Sequence, residues 1–143
     1  MVDGKMTEGE PAVTLIFTSI CMPSILIWMA YNYSLYNMYF LSITTIGSVF
    51  SVFFWMDPVN NRNQMIHKFD SISAKFVILN YTIYKLFINR NNIWFFLWSY
   101  FHMLYYFYMS NKVSSKNWCS ELHIRNHITA HLYCMFCCYI AFF

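Results

Sequence analysis

Five apolar stretches, about 12 to 31, 34 to 56, 69 to 88, 92 to 110 and 121 to 143, occupy nearly all of this chain and leave only short polar connections. Crossing about 30 Å of hydrocarbon takes roughly 20 mostly apolar residues. Within lipid every backbone N–H and C=O must also be paired inside its own segment, which selects helices. The sequence therefore predicts an all-α fold, an integral membrane bundle of about five transmembrane helices. Residues 1–143 form a single transmembrane domain, with 1–11 as a polar tail. A composition of 59% hydrophobic, 22% aromatic and only 10% charged residues lies outside the range of soluble domains. The tail, MVDGKMTEGEP, is acidic and polar rather than basic, so the first span is expected to be retained rather than cleaved as a signal.

Five crossings place the tail and the connections 57 to 68 and 111 to 120 on one side, with the turn near 32, the Asn89 to Asn92 turn and the C-terminus on the other. Lys5, Arg62, Lys68, Lys75, Lys112, Lys116 and Arg125 flank the first side, against Lys85 and Arg90 on the second. The excess of Lys and Arg makes the first side cytoplasmic, or its equivalent in an organelle. The charge of +3 is scattered over loops, without the basic run interleaved with aromatics that single-stranded nucleic acid requires, so nucleic acid is not an expected partner. The five cysteines are an odd number, and four lie in or beside the last apolar segment, so they read as small buried hydrophobes rather than a disulfide framework.

Charge gathers in SVFFWMDPVNNRNQMIHKFDSISAK, residues 51 to 75. Ser51 and Asp57 close the second span, His67, Asp70 and Lys75 open the third, and His123, His127 and His131 open the fifth, all toward the same side. Ionisable groups at such depth cost a few kcal/mol and usually face the bundle and one another. In SELHIRNHITAHLY the three histidines are four apart and form one helical stripe, so two neighbours can hold one metal ion. All three cannot, since His123 and His131 are about 12 Å apart along the axis. A third ligand must come from another helix, and His67, one turn before Asp70, is the expected one. His67, His123 and His127 with an open fourth position would suit a catalytic zinc, with Asp70 as base or orienter. Ser51 would donate to a developing oxyanion. That combination points to metal-assisted hydrolysis of a membrane lipid near headgroup depth.

Blander readings stand beside this one. A histidine at a membrane interface serves as a polar group, and His102 in WSYFHMLYY is expected to make a bundle hydrogen bond. Cys134 and Cys137 have Cys-x-x-Cys spacing but sit in an apolar helix, and most Tyr and Trp residues form interfacial belts. Two rivals to the hydrolase follow: a non-catalytic small membrane subunit or partner-binding protein, and a b-type haem protein using His102 with a last-span histidine.

The order Ser51, Asp57, Asp70, Ala74 and His123-x-x-x-His127 resembles the CREST superfamily of membrane hydrolases, which includes alkaline ceramidases, adiponectin-receptor-like proteins and the lipid-remodelling proteins of GPI-anchor maturation. The segments S-x-x-F-x-x-D, H-K-F-D-S-I-S-A and HIRNHIT are closest to the GPI-remodelling branch. The resemblance implies a zinc held by one second-span and two last-span histidines, with the Ser51 and Asp70 positions beside the metal water. It covers about 51 to 78 and 121 to 131. Two departures stand out: five spans against about seven, and Trp55 where the family has its first histidine. Either His67 or His131 replaces that ligand, or the metal site is lost.

Overall fold

The structure, a computed structural model, describes residues 4–29 and 34–143. The expected turn near 32 lies outside the described residues. The described chain is helical throughout: α1 (Val13–Met29), α2 (Leu35–Met56), the single turn α3 (Pro58–Asn61), α4 (Met65–Ile83), α5 (Ile93–Ser114) and α6 (Glu121–Ile140). The five long helices fall on the five apolar stretches. Their starts carry local signals: the Ser34 side chain accepts the N–H of Asn37 ahead of α2, and Ser120 accepts that of His123 ahead of α6. Asp57 caps α3, with Pro58 in its first turn.

The helices pack in the order α4, α2, α1, α6, α5, and a contact between α4 and α6 partly closes the bundle. Gly47 sets the α2–α4 spacing, because a Cβ there would sit 3.3 Å from Cγ2 of Val77. The interior contains two apolar clusters. One lies toward the end that carries both termini of the 57–64 and 115–120 connections and includes Leu15, Phe54, Trp55 and Ile124. The other lies toward the opposite end and includes Leu26, Phe40, Tyr81, Phe96 and Cys138. On α1, α2 and α6, which feed both clusters, buried polar residues lie between them: Thr18 and Ser19, Thr44, Ser48 and Ser51, and His131.

Residues 4–12 form a strap across the first end. The N–H of Met6 donates to Cys119 O, the N–H of Glu121 to Gly4 O, and the N–H of Ala12 to Trp55 O. The tail and the two connections expected to share a side therefore meet. Cys119 holds φ 53°, a left-handed value that costs a side-chain-bearing residue energy, and its two backbone hydrogen bonds keep it there.

At the other end α4 continues into a π-helical turn, Tyr84–Ile88, closed by Asn89 N–H on Tyr84 O. The extra residue turns Lys85 inward, where it is fully buried and its Nζ donates to Ile140 O at 2.8 Å. Asn89 and Asn92 donate to Ala141 O and Phe143 O. Lys85 gives Ile140 O a second donor beside the Phe143 N–H, the asparagines supply donors at the end of α6, and the lysine charge complements the helix dipole. Lys85→Met is expected to lower stability by about 2 kcal/mol, the worth of a charged hydrogen bond, with the loss read in thermal unfolding and in faster hydrogen exchange over the last turn of α6.

One described helix, Leu35–Met56, is by itself long and apolar enough to cross a membrane, and Val13–Ser24 is a shorter apolar helix. The other three long helices carry the charges, histidines and tyrosines that lower their hydropathy. Large apolar side chains nevertheless face outward on every long helix, among them Phe17, Leu35, Phe76, Phe101 and Leu132.

Candidate functional site

The buried polar residues form a belt that ties all five long helices together. On α1, Thr18 Oγ1 lies 3.1 Å from His131 Nδ1 on α6. Ser19 Oγ lies 2.9 Å from Ser51 Oγ on α2, Ser51 faces the Asp70 carboxyl on α4, and Thr44 Oγ1 on α2 lies 3.1 Å from the Tyr81 hydroxyl on α4. His127 Nδ1 on α6 lies 3.1 Å from Ser110 Oγ on α5. Each pair joins two different helices, and the five helices that supply them run alternately up and down. Thr44 and Tyr81 aside, the belt residues therefore share one depth, about one to three turns in from the strapped end.

Proton counting constrains the belt. Thr18 Oγ1 donates its one hydrogen to Leu15 O, so it can only accept from His131, whose Nδ1 is then protonated and whose Nε2 keeps a lone pair. Ser19 Oγ reaches both Leu15 O and Ser51 Oγ with one hydrogen. Two settings satisfy it. In one, Ser19 donates to Ser51 and Ser51 donates to a carboxylate. In the other, Ser19 donates to Leu15 O, Ser51 donates to Ser19, and a protonated Asp70 donates to Ser51.

The expected zinc ligands are less well matched. His123 is buried, and its Nδ1 accepts the N–H of Cys119 at 3.1 Å, so the hydrogen of its neutral ring sits on Nε2 and blocks that lone pair. His67 Nδ1 donates to Arg62 O at 2.6 Å, which leaves its Nε2 open, but its ring stacks on Phe54 at 4.8 Å and contacts Trp118 at 5.6 Å. Trp118 also packs on His123 at 4.9 Å, so one indole touches both imidazoles. Trp55 is buried and packs on His127 at 4.8 Å and on His123 at 6.3 Å, and its indole N–H has no hydrogen-bond partner. His127 and His131 are ring neighbours at 4.9 Å. Among the described residues no group of three or more His, Cys, Asp or Glu is placed to hold a metal ion. As arranged, His67, His123 and His127 do not form a zinc site: His123 Nδ1 is taken by the Cys119 N–H, and the three are not placed to share one ion.

Asp70 and His67 share α4 but part company: the carboxyl turns to Ser51, the imidazole to the 58–62 turn and Trp118. Ser51 and Asp70, expected as partners in one pocket, are brought together. His102 Nδ1 donates to Trp98 O on its own helix, and its ring contacts are with Trp98 and Tyr133 rather than with an α6 histidine. Its hydrogen bond is thus local rather than across the bundle, and the arrangement offers no opposed imidazole for haem. All five cysteines are free thiols. Burial pushes the Cys119 thiol up to about 12 against the opposing pull of Arg62.

Thr18, Ser19, Ser110 and Trp118 were not singled out from the sequence. A Thr-Ser pair inside an apolar helix is a detectable signal, but such hydroxyls usually bond their own helix, as Ser42, Thr45, Thr82 and Thr129 do here. Only the packing shows that Thr18 and Ser19 also reach other helices. Comparison with protein-family models, curated proteins and solved structures finds no match to this chain.

Two outcomes follow. Thr18→Val leaves the His131 Nδ1–H without its acceptor and is expected to destabilise the bundle by about 1 kcal/mol, as interhelical hydrogen bonds of this kind do, measured by denaturant unfolding in detergent. Asp57 accepts from the Asn60 side chain, the Gly9 N–H and the Asn60 N–H, which hold its carboxyl below the ordinary carboxylate range. A folded pKa below the unfolded one contributes stability above about pH 4, and that contribution is lost as pH falls through the folded value. Protection of the Gly9 amide, corrected for intrinsic exchange, should hold from pH 5 to 8, fall below about pH 4, and be absent at all pH in Asp57→Ala.

Proposed function

We propose that the protein is a five-span integral membrane protein with its N-terminus on the cytoplasmic side. The order Ser51, Asp57, Asp70 and His123-x-x-x-His127 resembles the CREST hydrolases over two short segments, with Trp55 where that family has its first zinc-binding histidine. The outward-facing apolar side chains on all five long helices support the membrane reading, because water would penalise them and lipid would not. Lys and Arg concentrated at the strapped end support the orientation.

Within that frame the favoured role is that of a non-catalytic small membrane protein acting through assembly. One observation carries it: the Trp55 indole packs on His127 and, more distantly, on His123, where a metal and its water would need room. The belt then serves to hold the bundle in one register, since each polar group in a low-dielectric interior must find its partner. The alternative, a zinc-dependent hydrolase of a lipid amide or ester, draws support from the proximity of Ser51 to Asp70. In that reading Asp70 would move the proton and Ser51 would orient the substrate carbonyl.

Zinc content of the purified protein separates the two. Wild type is expected to carry well below one zinc per chain, and Trp55→His to gain zinc that a further His127→Ala removes. Stoichiometric zinc in wild type, lost in a His123→Ala, His127→Ala double variant and accompanied by hydrolysis of a ceramide or ester lipid, would establish the hydrolase instead.

A further inference from the structure

Lys75 stands out among the cations of the chain by its depth. A Cβ on Gly47 would lie 3.3 Å from Val77 Cγ2 and 3.8 Å from Ser73 Oγ, so residues 73–77 of α4 lie level with Gly47 of α2. Gly47 is nine residues, about 13 Å, from the Met56 end of that 22-residue helix and further from its Leu35 end. Lys75 is therefore close to mid-span. Its four-carbon stem lets the ammonium snorkel by roughly 6 Å, well short of either end of the bundle. By contrast Lys68, Lys112 and Arg125 sit within about a turn of their helix ends, and Lys85 is held by Ile140 O.

Lys75 is also exposed and unpaired. Ser73 and Val77 face α2, and Lys75, two residues from each, points to the opposite side of α4 among the exposed Ile72, Phe76 and Leu79. Among the described residues its ammonium enters no hydrogen bond or ion pair. The carboxyl on the same helix, Asp70, turns to Ser51. A bare charge at this depth in hydrocarbon is costly, and such groups in membrane proteins pair with one another. Ser71 and Ala74 beside it are small, so another helix backbone can approach the charge closely.

Depth decides what can pair with it. Lipid phosphates lie at the headgroups, beyond the reach of the stem. A second copy of this chain offers no carboxylate at that level among its described residues. Asp70 is turned into the bundle, and Glu8, Glu10, Asp57 and Glu121 lie at the strapped end. An opposite charge at mid-depth must come from a helix of another protein.

We propose that the α4 face formed by Ile72, Lys75, Phe76 and Leu79 docks a transmembrane helix of a different protein that carries an aspartate or glutamate near its midpoint. The carboxylate pairs with the Lys75 ammonium, and the flanking apolar side chains pack on the partner helix. This rests on the membrane reading above and gives the assembly role a partner of stated chemistry.

The experiment uses the full chain expressed in membranes, washed with alkaline carbonate, and reconstituted in phosphatidylcholine vesicles. It is then titrated with synthetic polyleucine spans that carry a single central Asp, Leu or Lys, and binding is read by energy transfer. Wild type is expected to resist the wash and to bind the Asp helix about tenfold more tightly than the Leu helix, the range of a polar contact between membrane helices. Lys75→Leu, a change at an exposed position, should keep its helicity and lose that preference. Lys75→Glu should transfer the preference to the Lys helix, and Lys68→Leu, nearer the helix end on the same face, should retain it. Release by carbonate overturns the membrane reading and the proposal together. Retention overturns the proposal alone when wild type shows no Asp preference, when Lys75→Leu keeps it, or when Lys75 instead drives association of two copies of the chain or enrichment of phosphatidylglycerol.

Discussion

The hydrogen bonds linking α4 to α2, α2 to α1, α1 to α6 and α6 to α5 are the constraint on which the rest of the bundle depends. Apolar helices can slide past one another at little cost when lipid and protein are equally apolar, so packing alone specifies their register weakly. A hydroxyl or imidazole in the same interior has few acceptable partners and loses heavily without one. Asp70, Ser51, Ser19, Thr18, His131, His127 and Ser110 therefore act as pegs. Sliding any long helix by one turn would separate a donor from its acceptor. The two apolar clusters on either side fill space around this layer, one against the strap and one against the Lys85 cap.

Trp55 gives that layer a particular character. Its ring packs on His127 and approaches His123, and with Trp118 and Phe54 it makes the strapped end of the interior an aromatic assembly threaded with imidazoles. Metal chemistry needs convergent lone pairs and an open position. Here His123 spends its lone pair on the Cys119 N–H, and His67 lies flat against Phe54. The same tetrad of residue types that would suit a hydrolase can equally be spent on holding helices together, and in this bundle the hydrogen-bond partners favour the second use.

Much of the fold was legible beforehand. The five long helices lie where the five apolar stretches placed them, because a segment that buries its backbone in an apolar setting must satisfy its own hydrogen bonds. The meeting of Ser51 with Asp70 was also legible, since alternating helix direction brings the end of α2 beside the start of α4. What escaped was side-chain direction. His67 and Asp70 share a helical face at i, i+3, yet the carbonyl of Arg62 captures the imidazole and the carboxyl goes to Ser51. The π turn that swings Lys85 inward and the left-handed Cys119 that aims an N–H at His123 have no periodic signature.

By itself the sequence determined an all-helical chain, the approximate bounds of its long helices, and a polar cluster shared by three helix ends. Those follow from local rules: apolar run length, the 3.6-residue repeat and helix-capping side chains. Only the tertiary structure decided which lone pairs are free, that Trp55 and Trp118 lie against the histidines, and that Thr18 and Ser19 reach across to other helices. These depend on contacts between residues tens of positions apart, where a rotation of one side chain changes the chemistry while leaving every local rule satisfied.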